Sequence, residues 1–179
     1  MPLPSNQIYT SEDYWNLPND ERAELIDGKL YAMAPPSRIH QEIVSGFTQV
    51  IRNYIKQHRG DCKVYPAPFA VNLDADDKNW VEPDISVICD QGKLTDRGCS
   101  GAPDWIVEVV SPSTQGMDYM TKLLLYRKSG VKEYWIVNPL TQGVMVYDFY
   151  QDHFTAGTFD SPIQVGIYPD LTITIQELL

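Results

Sequence analysis

One short stretch limits what this chain can fold into more than any other: Trp105-Ile106-Val107-Glu108-Val109-Val110. An apolar run of this length, rich in β-branched residues, predicts a strand buried inside a sheet. Glu108 is the one acid in it. A bare carboxylate among apolar neighbours costs on the order of several kcal/mol and tends to take up a proton. Three arrangements relieve it: a cationic partner, protonation, or a metal ion.

The preceding segment, Val81-Glu82-Pro83-Asp84-Ile85-Ser86-Val87-Ile88, also predicts a strand, with Pro83 near its start. By the two-residue period, Glu82, Asp84, Ser86 and Ile88 share a face. If this strand pairs with 105–110, Asp84 and Glu108 lie side by side. Like charges that close repel strongly where water is scarce. A hard divalent cation, Mg²⁺ or Mn²⁺, takes oxygen ligands, resolves the repulsion and keeps waters for chemistry. The residues equally allow a plainer outcome, with Asp84 capping a turn and Glu108 paired with a lysine.

The remaining chain is read around these strands. Thr10 or Ser11 caps a short helix, Glu12 to Leu17. Asp27-Gly28 between apolar flanks predicts a hairpin. Ser37 opens a long helix whose Ile39, Ile43, Val44, Phe47, Val50, Ile51, Tyr54 and Ile55 recur at spacings of three and four, ending at Gly60. Extended runs follow over 62–73 and 80–89, and 91–102 reads as a polar loop. After the Glu108 strand, Ser113 or Thr114 caps a helix over 115–128. Strands follow at 133–137 and 144–149, and further β-like segments run to Ile175. The order helix, three strands, helix, strand predicts an α/β fold around a mixed sheet, with an N-terminal hairpin and extra C-terminal strands.

At 179 residues the chain predicts a single domain, 1–179, with enough interior to fold without staples. Its apolar runs are too short to cross a bilayer, and Met1–Asn6 has neither the basic start nor the apolar stretch of a secretion signal. Cys62, Cys89 and Cys99 show no metal-type spacing and are odd in number, which fits a reducing cytoplasm. His40, His58 and His153 are too scattered to suggest a zinc site. A net charge of −10 argues against non-specific coating of nucleic acid, though not against one small site that touches it. There is no Gly-x-Ser-x-Gly elbow, no His-Glu-x-x-His and no phosphate-binding P-loop.

Several stretches together resemble the Uma2 family of bacterial proteins, which is grouped with restriction endonucleases in the PD-(D/E)XK nuclease superfamily. They are Glu24-Leu25-Ile26-Asp27-Gly28-Lys29-Leu30, Pro36-Ser37-Arg38-Ile39-His40-Gln41, Glu82-Pro83-Asp84-Ile85-Ser86-Val87, Pro103 to Thr114, and Gly130 to Pro139. Asp118, Lys122 and Tyr126 match the intervening helix. The resemblance implies a restriction-endonuclease-like core and a metal-dependent endonuclease acting on DNA. Pro83-Asp84 supplies the first acid and Glu108 the second, and both would bind Mg²⁺ with the backbone carbonyl of Val109. The superfamily pattern places a lysine two residues after the second acid. Val110 stands there, so the resemblance implies that Lys122 takes that role and assists the attacking water. Glu24 would be a third acid. His40 is either a surface histidine or a proton shuttle. The superfamily often works in pairs, which implies a homodimer. The rival is a degenerate, non-catalytic module that binds or regulates.

Helical spacing points elsewhere for Lys122. Met117, Met120, Leu123 and Leu124 form the apparent buried stripe, leaving Asp118 and Lys122 as a solvated i,i+4 pair worth a few tenths of a kcal/mol, about 0.3. Tyr9, Tyr14 and Trp15 read as exposed aromatics that pack a hairpin or a partner.

Overall fold

The computed structural model describes residues 7–179, so Met1–Asn6, read above as lacking a secretion signal, lie outside the described residues. Helix α1 (Ser11–Trp15) is capped at Thr10, whose N–H donates to Asp13 at 2.8 Å. Strands β1 (Ala23–Ile26) and β2 (Lys29–Ala32) form the Asp27-Gly28 hairpin. Both turn residues have positive φ, 49° and 73°, as a type I′ turn requires. Tyr14 stacks on Trp80 beside this hairpin and is buried, so the N-terminal aromatics cover the chain's own strands.

Helix α2 (Arg38–Gln57) begins where Ser37 Oγ accepts the His40 N–H at 3.3 Å. Its predicted stripe is buried through Ile43, Val44, Phe47, Ile51 and Ile55. Strands β3 (Lys63–Pro66), β4 (Val71–Asn72), β5 (Trp80–Val81), β6 (Ile85–Ile88), β7 (Leu94–Thr95), β8 (Gly98–Ser100) and β9 (Trp105–Val109) follow. A π-type turn, Met117–Thr121, leads into α3 (Lys122–Ser129), which stops at left-handed Gly130. Strands β10 (Glu133–Asn138), β11 (Gly143–Asp148), β12 (His153–Thr158), β13 (Ile163–Gln164) and β14 (Thr172–Ile173) complete the chain.

The main sheet has the order β12-β11-β10-β9-β6-β3, and a second has the order β2-β1-β5-β4-β8-β7. In the main sheet β9 and β10 are parallel and the other pairs are antiparallel. Helix α2 covers one face through Phe47, Trp105, Val107, Trp135 and Val137. The other face, carrying Ile106, Val110, Tyr134 and Ile136, packs on α3 and on the second sheet. Fully buried Trp105 and Trp135 each contribute about 2–3 kcal/mol of apolar burial.

Four expectations need correction. The runs at 62–73 and 80–89 are not two strands. Each is divided between the two sheets, because Pro66, Pro68 and Pro83 remove backbone donors where the chain changes sheet. The segment 91–102 is not all loop. It holds β7 and β8, and a Cβ at Gly98 would meet Ala70 O at 2.0 Å, so glycine allows that approach. Cys62 and Cys89 are joined in a disulfide, with Cys99 free and buried. The antiparallel register Lys63↔Ile88 sets residues 62 and 89 opposite one another, which spacing alone did not reveal. The fourth concerns α3. Met120 and Leu124 are exposed, while Asp118, Lys122, Leu125 and Tyr126 are buried. The polar face turns inward because it meets the Glu108 carboxylate.

Candidate active site

Strands β6 and β9 pair with the register Ile85↔Val107. One step further along this ladder, Asp84 faces Glu108 on the α3 side of the sheet. The Asp84 N–H lies 3.4 Å from Glu108 Oε2. Asp84 Oδ2 accepts from Val109 N at 2.8 Å and lies 3.1 Å from His40 Nε2. The two acids therefore meet, with Val109 beside them through its N–H. His40 is neither remote nor on the surface. It reaches the site from the first turn of α2 and is 9% exposed.

Lys122 brings in the second sheet. Its Nζ lies 2.9 Å from Glu108 Oε1, 3.0 Å from Glu24 Oε2 and 3.8 Å from Asp118 Oδ1. The π-type turn adds a residue to one helical turn just before Lys122, a distortion often found at functional sites. It sets Asp118, Lys122 and Tyr126 against the sheet. Tyr126 OH donates to Glu108 Oε1 at 2.6 Å, and Tyr134 OH donates to the Asp118 carbonyl at 3.0 Å. Glu24 Oε1 also accepts the Glu82 N–H at 3.0 Å, which fixes the hairpin carboxylate over the β6 entry. In the sequence Asp118 and Tyr126 match the family's helix, with Asp118 a solvated partner of Lys122, and neither is given a place in the site. Their i,i+4 spacing on either side of Lys122 was the available signal, masked by the methionine and leucine stripe.

The electrostatics follow from crowding. Burial pushes the Glu108 carboxyl well above its ordinary range. Lys122 opposes this, and Asp84, Asp118 and Glu24 reinforce it. Asp118 is raised to about 6, mainly by burial, against the pull of Lys122 and a Thr114 hydrogen bond. Burial alone would lower the Lys122 value, but Glu108, Glu24 and Asp118 outweigh it and hold the ammonium protonated. Burial likewise tends to lower His40, and the Asp84 hydrogen bond and charge turn the net shift upward. Four carboxyl groups thus crowd one lysine and one histidine, and burial together with this crowding favours the protonated form of Glu108 and Asp118. Among the described residues no group of three Asp, Glu, His or Cys side chains is already arranged to hold a metal ion. Glu24, Glu108 and Asp118 converge on an ammonium instead. The donor chemistry still fits a hard cation: all are carboxylate oxygens, and Asp84 Oδ1 accepts no hydrogen bond among the described residues.

A helix, three strands, a helix and a strand, with two acids from paired strands and a lysine from the following helix, define a restriction-endonuclease-like α/β protein. The chain belongs to the Uma2 family, described as "Putative restriction endonuclease", whose model matches residues 11–176. It is 28% identical over 139 residues to the "Uncharacterized protein slr1290" of Synechocystis sp., a match spanning 76% of this chain and 72% of that one. The crystal structure of a protein from Anabaena variabilis, described as "a putative nuclease belonging to DUF820", superposes with a TM-score of 0.76 at 24% identity, covering 94% of this chain and 96% of that one. That likeness establishes the fold. No helix among the described residues is long and apolar enough to cross a membrane.

Proposed function

We propose that this protein is a metal-dependent endonuclease that hydrolyses DNA phosphodiester bonds. The observation that carries the reading is the position of Lys122, 2.9 Å from Glu108 although Val110 occupies the usual lysine position. Asp84 and Glu108 would hold a magnesium or manganese ion, with the Val109 backbone adjoining. When bound, such an ion lowers the pKa of a coordinated water and offsets charge on the phosphate. Lys122, held protonated by its carboxylate neighbours, orients the attacking water and stabilises developing negative charge rather than removing a proton. Tyr126 and Glu24 hold Glu108 and Lys122 in place. His40 steadies Asp84 and can pass a proton to solvent from the edge of the cluster. Cutting both strands of a duplex calls for two such sites, so a homodimer belongs to the proposal.

Plasmid nicking tests the reading. With Mg²⁺ or Mn²⁺ the wild type converts supercoiled DNA, and Asp84→Ala, Glu108→Ala and Lys122→Met each lose about 10²-fold or more. Equal nicking by all four proteins refutes the site. A second reading, a non-catalytic module of the same fold, is favoured by one observation: Lys122 and Tyr126 already satisfy Glu108 Oε1. Wild-type protein that folds, binds DNA and never cuts it decides for that reading.

A further inference from the structure

We propose that the edge of the main sheet at β3 is a binding track for single-stranded nucleic acid that leads to the Asp84 site. This rests on the endonuclease reading and adds how the strand to be cut is held: unpaired, whether it comes from a single-stranded substrate or from an opened stretch of duplex. Strand β3 is the last strand of its sheet; one cleft adjoins it, and a second lies by the β7–β8 hairpin of the other sheet. The first, about 410 Å³, lies between β3 and the second half of α2 and is lined by Arg52, Lys56 and Lys63, with Tyr65 at its end. The second, about 360 Å³, is lined by Trp15, Phe69 and Arg97 together with the acids Glu82 and Asp96. Tyr65 and Phe69 join the two clefts. Their rings stack at 4.3 Å, nearly parallel at 6°, and both are half-buried at the surface.

The track ends beside the acid cluster. The Ala67 N–H, from the segment between Tyr65 and Phe69, donates to the Asp84 carbonyl at 2.9 Å. Glu82, at the far side of the second cleft, lies two residues before Asp84, and its N–H donates to Glu24.

Charge argues for the occupant. Acids outnumber bases 24 to 14 in this chain. Yet Arg52, Lys56, Lys63 and Arg97 are exposed and make no ion pair among the described residues. Arg97 instead lies over the Trp15 ring at 5.3 Å. The first cleft holds Arg52, Lys56 and Lys63 with no acid among its lining residues, whereas Arg97 shares the second with Glu82 and Asp96. Cations alone would suit any phosphate backbone. Aromatic rings set among them suit unpaired bases, because bases within a duplex already stack on one another.

The test is fluorescence anisotropy with a labelled single-stranded DNA of about 12 nucleotides, and its duplex, in EDTA at low salt. The wild type is expected to bind the single strand at least about tenfold tighter than the duplex. Lys56→Glu/Lys63→Glu is expected to weaken binding about tenfold or more and to flatten its salt dependence. Tyr65→Leu/Phe69→Leu, which keeps apolar volume, is expected to weaken it about tenfold with the salt slope unchanged. Lys128→Glu, at the end of α3, is expected to bind as wild type. Equal affinity for duplex and single strand, or wild-type binding by both double variants, overturns the track. Binding is read without metal, so failure of the track and failure of cleavage are separate results.

Discussion

Two glutamates on neighbouring strands of the main sheet are buried almost equally, Glu108 at 3% exposure and Glu133 at 0%, and they live in opposite company. Their strands are parallel, with Glu133 beside Trp105 and Ile136 beside Glu108, and the side chains point to opposite faces. Glu133, on the α2 face, accepts from Trp135 Nε1 at 2.6 Å and from the backbone N–H groups of Gly166 and Ile167 at 2.9 Å each. Its donors are neutral, and it pins the C-terminal segment to the sheet. A Cβ at Gly166 would stand 3.1 Å from Glu133 Oε2, so that close approach relies on glycine. Burial raises its pKa, and the three donors pull against the rise. Glu108 has a lysine and a tyrosine, but two further carboxylates, Glu24 and Asp118, crowd the same ammonium, and Asp84 lies beside Glu108 itself. Burial of a carboxylate therefore does not by itself mark a site. Several carboxyl groups crowded round one buried ammonium do.

The sharpest way to break this contrast is to change each glutamate separately. Glu108→Gln should lower DNA cleavage by about 10²–10³-fold, while Glu133→Gln, once folded, should cleave as wild type. Comparable losses in both would erase the distinction. In stability the order reverses. Glu133→Ala leaves buried N–H groups without an acceptor and should cost about 3 kcal/mol in denaturant unfolding. Glu108→Gln should fall within about 1 kcal/mol of wild type, because it also removes repulsion from Asp84 and Asp118.

Asp118 gives the contrast a pH signature. Its folded value, about 6, lies above its ordinary 3.8, so the folded chain keeps a proton that the unfolded chain releases. That contribution is complete below pH 3.8 and is lost as pH rises through about 6. Asp118→Asn should remove this part of the slope and stabilise the protein at pH 7 by on the order of 2 kcal/mol. An unchanged slope between pH 4 and pH 7 would show that Asp118 is not crowded. The smallest effect belongs to the outer face of α3. Met120→Lys and Leu124→Lys should each shift stability by less than about 0.5 kcal/mol, since both residues are exposed.

That last expectation runs against the sequence pattern and shows where reading residues alone stopped. The core order of helices and strands was legible, because α2 carries an unbroken 3.6-residue stripe and Glu108 interrupts an otherwise apolar strand. The two-residue period put Asp84 on one face of its strand, and its meeting with Glu108 was conditional on the strands pairing, as the register Ile85↔Val107 has them do. Helix α3 misled, because its conspicuous apolar residues face water while Asp118, Lys122 and Tyr126 face the sheet. A helix turns its polar side inward only when a charge inside awaits it, and local spacing holds no record of that charge. The π-type turn at 117–121 also shifts the phase that the spacing argument assumes. The proline-divided strands, the β7–β8 hairpin and the Cys62–Cys89 bond depend on register between distant segments, which one strand's pattern does not encode.

The central claim is that the carboxyl groups crowded round Lys122 give a divalent cation its place in the proposed site. Calorimetric titration of Mn²⁺ into wild type, Asp84→Asn and Glu108→Gln at pH 6, in buffers of different ionisation enthalpy, tests it most directly. The account predicts saturable binding by wild type with protons released, since the raised carboxyls of Glu108 and Asp118 must give up protons to the ion. It also predicts binding weakened about tenfold or more in both variants. Wild type that takes up no ion, or variants that bind it as well as wild type does, would contradict the account.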